Sequence, residues 1–318
     1  MKKLFVSLYC LGLSLNAVAK SEPINFLVFG DMPYSSKEAE WLQKDGKLAK
    51  AAEAAQHDFY VHVGDMKASI QSCTDMLLKE NYALISHVSD KPFVYTPGDN
   101  DWTDCDRSSL LDPKDELERL AFIRAEFTKS TPALPKFKRQ ESIKENQSWN
   151  IDGVQFLTIH AVATNNGRRQ IKMSDEAKAY QEVDARDQHN FEWLEQNLPK
   201  KGHKAAVVFT QADLFVEAKH KGQCTTDNPK KCDGLEVYRD KLDGLAKQLD
   251  YPLLLVHGDT PDFCFSERKS GLWHLNAPGD VKVIDIAQVE INPDAEKPFS
   301  VKALLGSSFK ACPKVSKD

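Results

Sequence analysis

The sequence predicts a layered α/β fold in which mixed β-sheets are flanked by helices. Short apolar runs rich in β-branched residues recur along the chain, and helical patterns fall between them. Several runs are apolar at nearly every position, as in Leu253-Leu254-Leu255-Val256, which implies strands covered on both faces.

Taken in order, strands are expected at 24–29, 59–63, 92–96, 155–162, 205–210, 252–257 and 281–286, each of strand length and bounded by breakers. Helices are expected at 37–55, 75–88, 114–128, 186–198 and 236–249. Ser35, with Glu38 three residues later, fits a capping box at the first helix, so Asp31 belongs to the loop before it. No repeat, low-complexity tract or linker divides the chain. Residues 20–318 read as one domain, with insertions near 130–147 and 222–234.

The first residues carry a different signal. Lys2 and Lys3 precede an apolar run at 4–15, and Ala17-Val18-Ala19 offers small residues for cleavage, so residues 1–19 read as a signal peptide. A dozen apolar residues fall short of the roughly 20 that span a membrane. Bulky Tyr9 before Cys10 is a poor lipidation context. The expected destination is the periplasm or the medium, with no stable membrane association. Lys and Arg number 42 against 47 Asp and Glu, a net charge of -5, which argues against nucleic acid or anionic lipid as a partner.

Six cysteines follow the leader: Cys73, Cys105, Cys224, Cys232, Cys264 and Cys312. An even number in an exported chain favours disulfides. Cys224 and Cys232 bracket a short polar loop, and Cys73 and Cys105 each follow a Gly-Asp step by a similar interval. Cys264 would then pair with Cys312. The absence of Cys-x-x-Cys excludes a zinc knuckle or thioredoxin-like centre.

Four expected strands end alike: Gly30-Asp31, Gly64-Asp65, Gly98-Asp99 and Gly258-Asp259. Glycine permits a sharp turn at the sheet edge, and the aspartate that follows projects into the crevice beyond the strand ends. Gly-Asp is also a common turn, as Gly279-Asp280 ahead of an expected strand illustrates. Four of them, each directly after an apolar strand, point to one shared acidic site whose carboxylates need cations, protons or basic neighbours.

In order and spacing these steps resemble the motifs of the calcineurin-like metallophosphoesterases, which carry Asp-x-His, Gly-Asp, Gly-Asn-His-Asp/Glu, a lone His and Gly-His-x-His at strand ends. Gly30-Asp31-Met32-Pro33, Gly64-Asp65, Gly98-Asp99-Asn100-Asp101, the segment ending in Gln211, and Gly258-Asp259-Thr260-Pro261 are their counterparts here, over about residues 24–290. Phe191-Glu192-Trp193-Leu194, ahead of the fourth motif, is also similar to the family. Every expected histidine is replaced: by Pro33, Asn100, Gln211, Asp259 and Pro261. Asp99 stands for the ligand asparagine. The Tyr-Thr-Pro-Gly-Asp-Asn and His-Gly-Asp-Thr segments are similar to those of a bacterial subgroup of relatives.

The resemblance implies hydrolysis of a small phosphorylated substrate, a phosphomonoester or phosphodiester, by metal-activated water. Up to two divalent ions would be held by Asp31, Asp65, Asp99, Gln211 and Asp259, with Asp65 between them. Carboxylate and amide in place of imidazole favour Mg, Mn or Ca over Zn or Fe. Asn100 and Asp101 occupy the catalytic positions, with Asp101 the residue able to donate a proton if burial raises its pKa. The alternative is an exported binding protein that kept the scaffold and lost turnover. His62 and His257 flank the motifs, where local hydrogen bonding by buried histidines is the simpler reading. Arg168 and Arg169 read as loop residues able to meet a phosphate, and Tyr34, Lys67 and Trp102 as crevice or packing residues.

Overall fold

A computed structural model describes residues 22–313 except 170 and 217, so the expected signal peptide lies outside the described residues. The strands are β1 (Ile24–Phe29), β2 (Phe59–His62), β3 (Phe93–Tyr95), β4 (Lys138–Arg139), β5 (Gln147–Ile151), β6 (Val154–Thr158), β7 (Ala205–Phe209), β8 (Leu253–His257), β9 (Cys264–Glu267), β10 (Leu272–Asn276), β11 (Ala287–Ile291) and β12 (Phe299–Ala303). They form two mixed sheets, ordered β12-β11-β1-β2-β3 and β4-β5-β6-β7-β8-β10-β9.

Alternation along each strand explains the layers. Phe26 and Val28 join Phe156, Val207, Leu254 and Val256 in a core between the two sheets. Leu27 and Phe29 face the other way, onto Leu48, Leu78, Leu120 and Ile123 of the helices covering the first sheet. Val208 and Leu255 likewise meet Trp193, Leu194 and Tyr238. Burial on both faces is why these strands read as continuous apolar runs. Trp149 anchors the middle, stacked on Phe156 and Phe209 at 5.5 and 5.9 Å. A buried aromatic of this kind contributes roughly 2–3 kcal/mol through removal of its surface from water.

Parallel pairing aims the functional loops. β1, β2 and β3 run parallel as neighbours, and so do β6, β7, β8 and β10. The loop after β1 meets the loop after β2 through Asp31 N–H donating to Gly64 O at 3.0 Å, and the loop after β8 meets that after β7 through Gly258 N–H and Gln211 O at 3.0 Å.

Three expectations need correction. Residues 281–286 are not a strand: Asp280 and Val281 adopt φ of 49° and 62°, and the strand starts at Ala287. The apolar run is held instead by buried Asp285, whose carboxylate accepts from Ile286, Leu305 and Ser307 N–H groups at 2.8, 2.9 and 3.1 Å. The helix expected over 37–55 is two helices, Ser36–Leu42 and Lys47–Ala54, broken where Gly46 packs against the Glu40 and Trp41 carbonyls too closely for any Cβ. The helix expected from 186 begins at Glu176, capped by Asp175, because the polar first half still buries Ala179 and Val183.

The Ser35 capping box is present, with Glu38 N–H donating to Ser35 Oγ at 3.3 Å and Ser35 N–H to Glu38 Oε2 at 2.7 Å. The cysteines lie at disulfide distance as Cys73–Cys105, Cys224–Cys232 and Cys264–Cys312. Cys224–Cys232 closes the polar loop at 222–234, and the 130–147 segment carries the short edge strand β4. Among the described residues no helix is long and apolar enough to cross a membrane.

Candidate acidic centre

Local backbone chemistry builds the centre. Asp31, Asp65 and Asp259 take up left-handed φ values of 51°, 60° and 73°, a conformation that aspartate tolerates better than most residues. The aspartates themselves turn the chain and thereby face inward. Their glycine partners serve close approach: a Cβ on Gly98 would strike the Asp65 carboxylate, and one on Gly258 would strike that of Asp31. Asp99 opens the short turn Asp99–Asp101 after β3.

The structure brings carboxylate oxygens of Asp65, Asp99 and Asp259 within 4.8 Å of one another. Asp31 borders them, accepting the Asp259 N–H at 3.0 and 3.1 Å. Tyr34 bridges the two halves, its hydroxyl 3.4 Å from both Asp31 Oδ1 and Asp65 Oδ2. Gln211 lies in the middle, but with its nitrogen inward. Its oxygen accepts from Ala163 N–H at 2.8 Å, which turns Nε2 toward Asp65 at 3.0 Å, Asp99 at 3.1 Å and Asp259 at 3.5 Å.

Asn100 and Asp101 have defined partners too. Asn100 donates its backbone N–H to Asp65 Oδ1 and its side-chain amide to Tyr34 Oη, both at 3.0 Å. Asp101 is buried behind the aspartates. One of its oxygens accepts from Asp65 N–H, Gly98 N–H and Tyr95 O–H at 2.9, 2.8 and 2.7 Å, and the other from Met66 N–H at 2.9 Å. Both oxygens are thus engaged in ordering the loops after β2 and β3.

Burial pushes the Asp31, Asp65 and Asp259 carboxyls well above the usual carboxylate range, and the neighbouring Asp99 charge adds to the rise at each. Burial raises Asp99 as well, against the hydrogen bond it accepts from Thr164. Burial and then the Asp65 charge hold the Tyr34 phenol well above its ordinary value, so it stays a donor. Fully buried Lys67 stands nearby; burial lowers its pKa while Asp101, Asp65, Asp104 and Asp99 pull it back up. Carboxylates so placed must share protons or hold a cation, and an all-oxygen set suits a hard divalent ion. The donor chemistry is therefore compatible with a divalent cation.

Sequence reasoning missed Thr164, which donates to Asp99 from a turn where Thr164, Asn165 and Asn166 have φ of 55°, 58° and 59°. Such residues cost roughly 1–3 kcal/mol each and persist where surroundings over-determine them. Here Gly234 N–H donates to Asn165 Oδ1, and Asn166 donates to Asp187. The Asn165-Asn166-Gly167 triplet was the available signal, being prone to left-handed backbone. Arg168 is buried and pairs with Asp184 and Asp187, whereas Arg169 lines a cavity of about 220 Å³ together with Lys219, Arg239 and Asp259. His62 is fully buried and local in its bonding, with Nε2 against Met32 O at 2.9 Å and Nδ1 accepting from Gly64 N–H at 3.3 Å. Trp102 packs under Arg186 and beside His160.

No protein-family model and no curated protein matches the sequence. Among solved structures, the chain is similar to GAP50 of Plasmodium, the anchor in the inner membrane complex, at 11% identity and a TM-score of 0.44 over 92% of each chain. It is similar to a dimetal phosphatase from Danio rerio at 10% identity and a TM-score of 0.45, over 89% of this chain and 96% of that one. A 5'-nucleotidase from Candida albicans gives 11% identity and a TM-score of 0.46, over 88% and 50%. All three scores lie below 0.5, so the reading of the centre stands on its own geometry.

Proposed function

We propose that the protein is an exported, divalent-cation-dependent phosphoesterase whose centre is built from carboxylates. The observation that carries this reading is the convergence of Asp65, Asp99 and Asp259 oxygens within 4.8 Å in a buried crevice. These three residues would hold the cation, and Asp31 would serve a second one beside Asp65. The ion would supply the charge that activates water and neutralises phosphate.

The remaining roles belong to the chain's own groups. Gln211, with its nitrogen inward, steadies the carboxylates by donating to them, and the ion would replace those hydrogen bonds. Asp101 orders the loops that carry Asp65 and Asp99, through the four hydrogen bonds it accepts. Tyr34 and Asn100 present donors at the crevice edge, where Tyr34 is the group able to hold a proton near a leaving oxygen. Arg169 and Lys219 line the adjoining cavity with Asp259, which gives a phosphate group cationic neighbours beside the acidic centre. The cysteine pairs support export, since such bonds persist in oxidising compartments.

A second reading, cation-dependent ligand binding without turnover, is favoured by one observation. Among the described residues no histidine hydrogen-bonds to the four aspartates, and Asn100 cannot donate a proton at neutral pH. Assay of phosphomonoesters and phosphodiesters with Mg²⁺, Mn²⁺ or Ca²⁺, alongside Asp65→Asn, separates the two. Turnover that needs the ion and Asp65 supports the phosphoesterase. Cation-dependent ligand binding without turnover supports the second reading, and turnover indifferent to Asp65 contradicts the first.

A further inference from the structure

We propose a second metal site, of different chemistry, formed by Asp213, His257 and His274 behind the acidic centre, which takes Zn²⁺ or a similar nitrogen-loving ion. One ligand atom from each residue lies within 4.8 Å of the others. β8 and β10 are parallel neighbours in which His257 is in register with Asn276, so His274, two residues earlier, lies diagonally opposite on the same face. The two Nε2 atoms stand 2.5 Å apart, and Asp213 Oδ1 lies 3.8 Å from His257 Nε2.

The tautomer of His257 leaves a ring nitrogen available as a ligand. Its Nδ1 is 2.8 Å from Gly258 O, and a carbonyl only accepts, so Nδ1 carries the proton and Nε2 is left as a lone pair directed at the group. A backbone carbonyl holding the other ring nitrogen is the usual support of a metal-bound imidazole. Two buried imidazole nitrogens face to face are bridged either by the N–H of one ring or by a cation, and a carboxylate beside them adds the third ligand of an open zinc site. Ligand atoms on a tetrahedral zinc stand roughly 3.3 Å apart, so the rings would part by about 0.8 Å while Asp213 moves in by about 0.5 Å. Both rings are buried, whereas the Asp213 side chain retains 15% exposure and provides the entry path. Arg268 lies near His274 and is engaged by Asp243, so its charge is partly met.

The site would lock the two loops that supply the acidic centre. Asp213 follows Gln211 by two residues, and His257 precedes Asp259 by two. Thr260 donates to Asp213 Oδ2 at 3.0 Å, and Asn276 in turn donates to Thr260 Oγ1 at 2.7 Å. This is a structural role, independent of whether the acidic centre turns over substrate.

The test uses full-length mature protein, stripped with chelator and titrated with Zn²⁺ alone and with Co²⁺ alone in excess Mg²⁺, so that the carboxylate centre does not compete. Zn²⁺ bound is counted by dialysis and elemental analysis, and Co²⁺ is followed by its visible absorption. The expected result is one Zn²⁺ per chain, retained in Asp65→Asn and weakened roughly 100-fold or more in His274→Gln and in Asp213→Asn. Asp213→Asn changes a partly exposed side chain and keeps the fold testable if the histidine variant does not fold. Absence of bound Zn²⁺ in the stripped wild type, or binding unchanged by both variants, overturns the site and leaves a proton shared between the rings.

Discussion

Asp65→Asn puts the electrostatics of the acidic centre to a quantitative test. Asp65, Asp99 and Asp259 have oxygens within 4.8 Å, where each ionised pair repels by about 3.5 kcal/mol at an effective dielectric of about 20. Asp65 thus faces about 7 kcal/mol from two partners if all three are ionised. Proton uptake absorbs part of this, because burial and like charges raise these carboxyls well above their ordinary values. An acid raised in the folded state destabilises that state above the unfolded pKa and ceases to do so as pH falls toward it. The substitution should therefore stabilise cation-free protein at about pH 8, by roughly 1–3 kcal/mol after about 1 kcal/mol of lost hydrogen bonding, and do little below about pH 4. In thermal unfolding with chelator, that is a rise of several degrees. Mn²⁺ at a hundred times its Kd should stabilise wild type by about 2.7 kcal/mol and leave the variant unmoved. A variant less stable than wild type in chelator, yet shifted equally by Mn²⁺, would refute the reasoning.

Other outcomes follow from the same geometry. Gly98→Ala drives a Cβ into the Asp65 carboxylate, so it should destabilise the protein by roughly 1–3 kcal/mol and abolish the Mn²⁺-induced shift, both read by thermal unfolding. Glu116 is buried with neither oxygen hydrogen-bonded, and burial raises its pKa to about 8. Wild-type stability should fall as pH rises from 4.5 to about 8, by at most about 1.4 kcal/mol per pH unit from this group, and Glu116→Gln should flatten that slope in urea midpoints measured across pH. Arg169→Ala should raise KM for a phosphorylated substrate about tenfold with kcat within a factor of about three. Arg168→Ala, which removes a buried guanidinium from its partners Asp184 and Asp187, should lower thermal stability instead.

The alternation of apolar runs and helical patterns made the layers legible, because each central strand is buried on both faces and so declares itself by composition alone. The later strands were harder. β9, β11 and β12 carry Ser266, Glu290 and Lys302 among their apolar residues, and the apolar 283–286 segment beside them is a loop held by Asp285. The aspartates were found because Gly-Asp after an apolar strand is a local signal. The orientation of Gln211 was not legible, since it depends on Ala163 N–H, which lies 48 residues away. Thr164 and the pairing of His257 with His274 are likewise set by tertiary contact between distant loops and by strand register.

The central claim, a cation held by strand-end carboxylates, is tested most directly by anomalous diffraction from crystals of the mature protein grown with Mn²⁺. The account predicts a manganese peak within about 2.2 Å of oxygens from Asp65, Asp99 and Asp259. No peak in the crevice, with Gln211 Nε2 still donating to all three carboxylates, would contradict it.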